Sequence, residues 1–319
     1  MLEEKVNWLI TLRCNENCSY CFRPGSVEEY QDKILFAKKI ADAKLKKVTI
    51  SGGEPTIIED LPEILKILHD SGAYVSLHTN GRLLTPKLVE SFGKFIDDVA
   101  IPVDSVYPEV QRELRPKGSV EIFDRAHDLL LSSGINVGVH TVVTPLNIRK
   151  LNSLYNHVNK KDFKYWKFYQ EENAASKFGD SSCDVESFLS DFVLTWRNMK
   201  RRLNDPRVSF VASHNRMPYV FLKPNGEISY VAWFEEKMHS FGNLARGDLR
   251  KFYGEIEKHI GSQNDADKFF EGRWSLPLWV RLSGIETDPE LSKMQLDGLT
   301  KSERRKFWRL AHAYEEVGE

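Results

Sequence analysis

Residues 6–21 of the chain read Val-Asn-Trp-Leu-Ile-Thr-Leu-Arg-Cys-Asn-Glu-Asn-Cys-Ser-Tyr-Cys. The first six, Val6 to Thr11, are mostly apolar or β-branched and predict a buried strand. The next ten set Cys14, Cys18 and Cys21 among Asn, Glu and Ser, which are frequent in turns. The sequence therefore predicts a strand that runs directly into a loop able to wrap around an ion or a cluster.

Three thiols at this spacing indicate a metal site. The chain has four cysteines, three of them within eight positions, a poor disulfide framework that suits a reducing compartment. Iron–sulfur clusters are held by thiolates, normally four for a cubane, so three neighbouring cysteines predict one iron open to a ligand. A zinc site is the alternative, with Cys183 or a distant histidine as fourth ligand. Three unrelated core cysteines are disfavoured because polar residues separate them.

Along the chain, short apolar runs alternate with amphipathic stretches, which is the pattern of βα units around a parallel sheet. The predicted strands are Val6–Thr11, Lys47–Ser51, Ala73–Thr79, Asp97–Val103, Asn136–Val143 and Lys164–Gln170. The predicted helices are Glu28–Lys44, Leu61–Asp70, Pro86–Phe95, Val120–Ser132 and Arg149–Asn159. These units predict an α/β fold, a partial (β/α)6 TIM-like barrel with the chemistry at the carboxyl ends of its strands.

The pattern changes after the sixth strand. A helix is predicted at Val185–Leu203, and two strands, Tyr219–Leu222 and Glu227–Trp233, flank a Pro-Asn-Gly turn of the kind that joins hairpins. The last third is helix-rich and charged. We therefore expect two regions, a barrel core at residues 1–180 and a C-terminal extension of hairpin and helices at 181–319 that covers the barrel.

The second predicted strand ends in Ser51-Gly52-Gly53-Glu54-Pro55. Two glycines allow a backbone to approach a ligand closely, and the glutamate can face a cationic ammonium group. A tight strand-to-helix turn is the plain alternative. The position at a strand's carboxyl end, about thirty residues after the cysteines, favours the ligand-binding interpretation.

The CxxxCxxC spacing, the aromatic Tyr20 before the last cysteine and the turn at residues 51–55 together resemble the radical S-adenosylmethionine (radical SAM) superfamily. The resemblance implies one 4Fe-4S cluster on Cys14, Cys18 and Cys21, with S-adenosylmethionine on its open iron. It implies reductive cleavage of that cofactor to methionine and a 5'-deoxyadenosyl radical, which takes a hydrogen atom from the substrate. An electron donor such as flavodoxin or ferredoxin is then a partner. Dry barrel walls suit this chemistry because they protect the radical.

The resemblance predicts the side chains that contact the cofactor, and the pattern of the sixth strand predicts those that contact the substrate. Cofactor contacts are expected at Tyr20, Ser51, Gly52, Gly53, Glu54, Pro55, Asn80 and Arg115. The alternatives are an ordinary Asn-Gly turn for Asn80 and a solvated helix-start arginine for Arg115. Lys167 and Gln170, on the aromatic sixth strand, are the predicted substrate contacts. Lys167 could instead cap the outer face of that strand beneath a helix.

Within the superfamily, the motifs and the strand Trp166-Lys167-Phe168-Tyr169-Gln170 are similar to viperin-like enzymes, which dehydrate nucleoside triphosphates. This implies a small-molecule substrate, with a nucleotide as the candidate. The alternative is a ribosomally made peptide, because residues 224–228 and 241–244 resemble a SPASM or twitch domain without its cysteines. A non-enzymatic, zinc-stabilised binding module is the alternative of another class. Cys183 is either a hydrogen-atom donor or incidental.

Composition disfavours other classes of protein. A net charge of -1 gives no basic excess for a phosphate backbone, so an obligate nucleic-acid partner is not expected. The first residues lack the basic and apolar regions of a secretory signal. No apolar stretch approaches the ~18 residues of a membrane helix. These features predict a cytoplasmic protein with no membrane partner.

Overall fold

The computed structural model describes residues 4–21, 28–171, 195, 205–211, 219–231 and 238–262. Its strands are β1 (Lys5–Thr11), β2 (Lys47–Gly52), β3 (Tyr74–His78), β4 (Asp98–Pro102), β5 (Asn136–Val143), β6 (Tyr165–Gln170), β7 (Val208–Val211), β8 (Tyr219–Leu222), β9 (Glu227–Val231) and β10 (Met238–Asn243). Its helices are α1 (Lys33–Asp42), α2 (Leu61–Asp70), α3 (Pro86–Phe92), α4 (Pro108–Leu114), α5 (Val120–Ser132), α6 (Leu151–Val158) and α7 (Leu249–Ser262).

All ten strands form one sheet in the order β10-β9-β8-β1-β2-β3-β4-β5-β6-β7. Strands β1 to β7 are parallel to their neighbours, and helices connect the first six. The six strands predicted from the sequence are confirmed, each within one residue at either end. The predicted α/β partial barrel is therefore confirmed in its order of elements.

Alternation along each strand separates two faces of the sheet. One face carries apolar side chains that are fully buried beneath the helices, such as Val75 and Leu77 of β3 and Trp166 and Phe168 of β6. The other face carries mostly polar side chains. Because parallel strands buried on both faces are usually apolar throughout, this polar inner face indicates a site and not a second core.

The polar face is concave. Lys164, directly before β6, donates to the hydroxyl of Tyr74 on β3 at 2.8 Å. These strands are three positions apart, which is about 14 Å across a flat sheet. The curvature matches the predicted barrel, and it gathers the inner side chains of β3 to β6 around one space.

The helices differ in detail from their predictions. Helix α1 was predicted from Glu28 but begins at Lys33, because the side chain of Asp32 accepts a bond from the amide of Leu35 and caps it there. Helix α4 is an addition that the sequence analysis does not predict. Apart from Thr195, the helix predicted at Val185–Leu203 lies outside the described residues, and so do Trp233 and Cys183.

The predicted hairpin is confirmed as β8 and β9, with Gly226 at a φ of 86° in its turn. The structure adds that β8 pairs in parallel with β1, and that β7 extends the other edge beyond β6. Lys39 of α1 also donates to the carbonyls of Leu244 (2.7 Å) and Ala245 (3.2 Å). None of the described helices is long and apolar enough to cross a membrane.

Candidate functional site

The three cysteines lie on the loop that leaves the carboxyl end of β1. Each of the three is half-buried and none is in a disulfide. The amide of Cys21 donates to the carbonyl of Cys18 at 3.2 Å, so these two share a tight turn. The amide of Ser19 donates to the carbonyl of Leu114 at 2.9 Å and ties the loop to the end of α4.

Glu29 anchors the start of this loop, a role that the sequence did not reveal. Its Oε1 accepts bonds from the hydroxyl of Thr11 and the amide of Leu12, both at 2.7 Å. Lys33 lies 3.4 Å from its other oxygen. Burial opposes ionisation of Glu29, but these bonds outweigh it and lower its pKa.

The turn at residues 51–55 packs directly on the backbone that precedes Cys14. The amide of Gly53 donates to the carbonyl of Thr11 at 2.7 Å, and the amide of Glu54 to that of Arg13 at 2.9 Å. A Cβ atom on Gly53 would lie 2.0 Å from the Arg13 oxygen, and one on Gly52 would lie 2.3 Å from the Thr11 oxygen. The close approach that requires these glycines is made by the protein's own chain.

Glu54 joins the end of β2 to the end of β3. Its fully buried carboxylate accepts bonds from the amide and hydroxyl of Thr56, the hydroxyl of Thr79 and the amide of Asn80, at 2.6 to 3.0 Å. Burial raises the pKa of Glu54 against the opposing effect of these bonds. Asn80 continues the chain of contacts, because its Nδ2 donates to Oδ1 of Asn15 at 2.6 Å.

Arg115 crosses from the end of α4 to the cysteine loop. Its Nη2 donates to Oε2 of Glu16 at 2.6 Å, and its Nη1 donates to the hydroxyl of Tyr20 at 2.7 Å. Tyr20 in turn donates to Oδ2 of Asp104 at 2.6 Å. Arg115, Glu16 and Asp104 are all buried. The guanidinium thus offsets two buried carboxylates that would otherwise be costly.

The same network contacts a thiol. The sulfur of Cys18 lies 3.5 Å from Oε2 of Glu16. Burial raises the pKa of the Cys18 thiol to about 12, with Arg115 opposing, so metal binding there must displace a proton. The other oxygen of Glu16, Oε1, is buried without a hydrogen-bond partner among the described residues.

The donors offered by this loop are cysteine thiols. No three His, Cys, Asp or Glu side chains in the described part of the chain are grouped closely enough to hold one metal ion. Three cysteines on one loop, each half-buried and none in a disulfide, supply the type of ligand that an iron–sulfur cluster requires.

The other predicted residues lie near this loop or below it. Ser51 is half-buried at the end of β2, and Pro55 is buried in the turn that follows. Lys167 lies on the inner face of β6, with its Nζ 5.5 Å from the centre of the Tyr165 ring, and not on the outer face beneath a helix. Gln170 ends β6, and its side chain is outside the described atoms. Sequence patterns did not single out His78 and His140, which share the inner face with Lys167.

The chain is similar in sequence to one known family and to characterised proteins. Residues 8–158 match the family described as the Radical SAM superfamily. A probable GTP 3',8-cyclase of Methanococcus maripaludis is 31% identical over 150 residues, which are 44% of this chain and 47% of that protein. An S-adenosylmethionine-dependent nucleotide dehydratase of Selenomonas ruminantium is 34% identical over 160 residues, 45% of this chain and 57% of that protein. The chain spans about half the length of these relatives.

Two solved structures have folds similar to that of this chain. Streptococcus suis SuiB bound to precursor peptide SuiA superposes with a TM-score of 0.64 at 14% identity, over 80% of this chain and 66% of that chain. Native anSMEcpe with bound AdoMet superposes with a TM-score of 0.64 at 18% identity, over 80% of this chain and 82% of that chain.

Proposed function

Because residues 8–158 belong to the radical SAM superfamily, we propose that this enzyme cleaves S-adenosylmethionine at a single 4Fe-4S cluster held by Cys14, Cys18 and Cys21. The superfamily uses that cluster and that cofactor. A single cluster is proposed because the sequence has only one further cysteine. When bound, the cluster supplies the electron that converts the cofactor to methionine and a 5'-deoxyadenosyl radical.

The contact between two distant motifs carries the proposal. The turn at residues 51–55 bonds to the backbone directly before Cys14, and Asn80 bonds to Asn15 within the loop. Residues separated by more than thirty positions therefore meet at the carboxyl ends of β1 to β3. This is the edge where ligands bind in parallel α/β sheets.

We propose that eight residues at or near this edge contact the cofactor. They are Tyr20, Ser51, Gly52, Gly53, Glu54, Pro55, Asn80 and Arg115. Most of the hydrogen-bonding capacity of Glu54 is already used by Thr56, Thr79 and Asn80. The role we propose for Glu54 is therefore to shape the turn. Both Nη atoms of Arg115 are bonded within the protein. The role we propose for Arg115 is therefore to hold the cysteine loop in place. A direct contact between Arg115 and the cofactor carboxylate remains a prediction.

For the substrate we propose a small molecule, with a nucleotide as the candidate and Lys167 and Gln170 as contacts. Two relatives named for nucleotide chemistry support this class. A peptide is the second candidate, because SuiB matches this fold over 80% of the chain and was solved with a precursor peptide. We keep residues 1–180 as the proposed barrel core and 181–319 as its extension.

Anaerobic reconstitution of the full chain with iron and sulfide tests the cluster. We expect about four irons per chain and the absorbance of a 4Fe-4S centre. Cys14→Ala, Cys18→Ala and Cys21→Ala should each abolish that spectrum, whereas Cys183→Ala, the matched control, should keep it. Bound zinc without a cluster would overturn the proposal in favour of a zinc-stabilised module.

Reduction of the reconstituted protein tests the reaction class. With dithionite or reduced flavodoxin, S-adenosylmethionine should yield 5'-deoxyadenosine. Nucleoside triphosphates that increase this yield would support the nucleotide substrate, and peptides that do so would support the second candidate. A fully loaded cluster that produces no 5'-deoxyadenosine under any of these conditions would contradict the proposed reaction.

A further inference from the structure

The concave face below the cysteine loop has a closed polar floor. Asp98 of β4 is fully buried there. Its carboxylate accepts bonds from the hydroxyls of Tyr74, Ser76 (2.6 Å) and Tyr165 (3.1 Å). Three donors satisfy most of the hydrogen-bonding capacity of this carboxylate, so it needs no ligand.

Two histidines lie above this floor on either side of β4. The rings of His78 on β3 and His140 on β5 are 4.6 Å apart, edge to face at 87°. His140 also lies 5.0 Å from the ring of Tyr169. Both histidines are half-buried. No hydrogen bond to either imidazole occurs within the described residues, although polar groups away from bulk water are normally paired.

Charges of both signs act on this histidine pair, namely the carboxylate of Asp98 and the ammonium groups of Lys167 and Lys47. Lys167 is the register partner of His140 on the next strand. Burial, with Lys167 and Lys47 adding to it, lowers the pKa of His78 to about 4 against the opposing charge of Asp98. Burial, His78 and the same lysines lower the pKa of His140. The imidazoles are therefore neutral near pH 7 and would gain most from a nearby negative charge.

The pair lies directly beneath the proposed cofactor residues. His78 precedes Asn80 by two positions, and the amide of Asn80 bonds Glu54. His140 precedes Val142 by two positions, and the amide of Val142 bonds Asp104, the partner of Tyr20. At about 3.3 Å per residue, each histidine lies about 7 Å below Asn80 or Val142 along its own strand. A group bound at this depth would lie under a cofactor bound at the loop.

We propose that His78, His140 and Lys167 bind an oxyanion, a phosphate or a carboxylate, of the substrate. That this oxyanion belongs to the substrate rests on the proposed function; anion binding itself does not. Each neutral imidazole offers one N–H donor, and a second after protonation, while the ammonium group supplies a compact charge. Charge-assisted bonds of this kind are short and strong.

Calorimetric titration of the cluster-loaded full chain tests the site, with inorganic tripolyphosphate and, separately, citrate as probes. We expect saturable binding at neutral pH. His140→Asn and Lys167→Met should each weaken it about tenfold or more, as expected for loss of a charge-assisted bond. His69→Asn and Lys38→Met, which change exposed side chains, should leave the affinity unchanged.

Each outcome decides the proposal. Tripolyphosphate binding alone assigns a phosphate, citrate binding alone assigns a carboxylate, and either supports the site if the inner-face variants weaken it. The proposal is overturned if no saturable binding is found, or if Lys167→Met binds the anions as tightly as the wild type. The side chain of Lys167 is only half-buried, so this variant still tests the site if His140→Asn misfolds. Iron content and 5'-deoxyadenosine are measured on the same preparations. Anion binding without a cluster refutes only the proposed function, and a loaded, active cluster without anion binding refutes only this site.

Discussion

Gly53 lies where any side chain would meet the backbone ahead of the cysteine loop. We expect Gly53→Ala to destabilise the protein by about 1–3 kcal/mol, as overpacking does, and to lower bound iron, because the nearest obstacle is the Arg13 carbonyl. Urea unfolding and iron analysis measure both effects. Gly254→Ala, in a helix with open space around it, is the control and should gain about 0.5–1 kcal/mol. Equal stability and iron content in the two variants would refute this account.

Arg115 is the only cation in the described network with Glu16, Tyr20 and Asp104. We expect Arg115→Met to cost about 3–5 kcal/mol, because it leaves buried carboxylates without their partner. It should also lower iron content, since the loop loses two of its bonds. Arg115→Lys should restore only part of either property, because an ammonium cannot replace the planar fork.

The same variants separate two roles of Arg115. Holding the loop predicts less iron per chain and an altered EPR signal of the reduced cluster. A direct contact with the cofactor predicts normal iron and a higher KM for S-adenosylmethionine. The exposed Arg112→Met is the control. Normal iron, normal EPR and normal stability in Arg115→Met would rule out the positioning role.

Two acidic residues near the start of α1 have different roles. Asp32 caps the helix, whereas Glu29 reaches back to Thr11 and Leu12. We expect Glu29→Ala to free the start of the cysteine loop, at about 1.5–3 kcal/mol for bonds to a charged group. Hydrogen exchange at the Leu12 amide should accelerate. Asp32→Ala should cost about 0.5–2 kcal/mol as a lost cap while leaving that amide protected, so similar exchange in both variants would contradict the assignment.

Elements with a strong local signal could be predicted, and those set by distant contacts could not. The six strands and helices α2 and α5 follow from apolar periodicity and turn residues, and Gly226 marks the hairpin. The pairing of β8 with β1 depends on residues more than two hundred positions apart. No local pattern encodes such a pairing.

The candidate site also contains residues with a local sequence signal and residues whose role depends on distant contacts. Cysteine spacing and the Gly-Gly-Glu turn are local, so both motifs could be found in the sequence. Glu16, Glu29 and Asp104 act through partners elsewhere in the chain, and a carboxylate in a polar stretch looks solvated until its partner is known. His78 and His140 meet only because the sheet curves.

At the scale of the molecule, the concave face of the described sheet carries two half-buried, titratable histidines, and these make stability depend on pH. The groups that face the histidine pair are Lys47, Asp98, Tyr165, Lys167 and Tyr169. Both histidines have pKa values below the ordinary 6.5, that of His78 at about 4. At a pH between the ordinary pKa of 6.5 and the lowered pKa values of the two histidines, the unfolded chain binds more protons than the folded one. The two histidines therefore cost no stability above about pH 6.5, and the stability lost through them grows as the pH drops towards 4.

We expect urea unfolding at pH 7.5 and pH 5 to show this loss in the wild type and a smaller loss in His78→Asn and His140→Asn. His69→Asn removes an exposed histidine and should keep the wild-type dependence. A bound oxyanion should raise both histidine pKa values and so reduce the loss at pH 5, because protonation then favours the folded state. If the inner-face variants kept the full pH dependence, the histidines would not be its source. If tripolyphosphate and citrate stabilised the protein equally at both pH values, the anion would bind away from the pair.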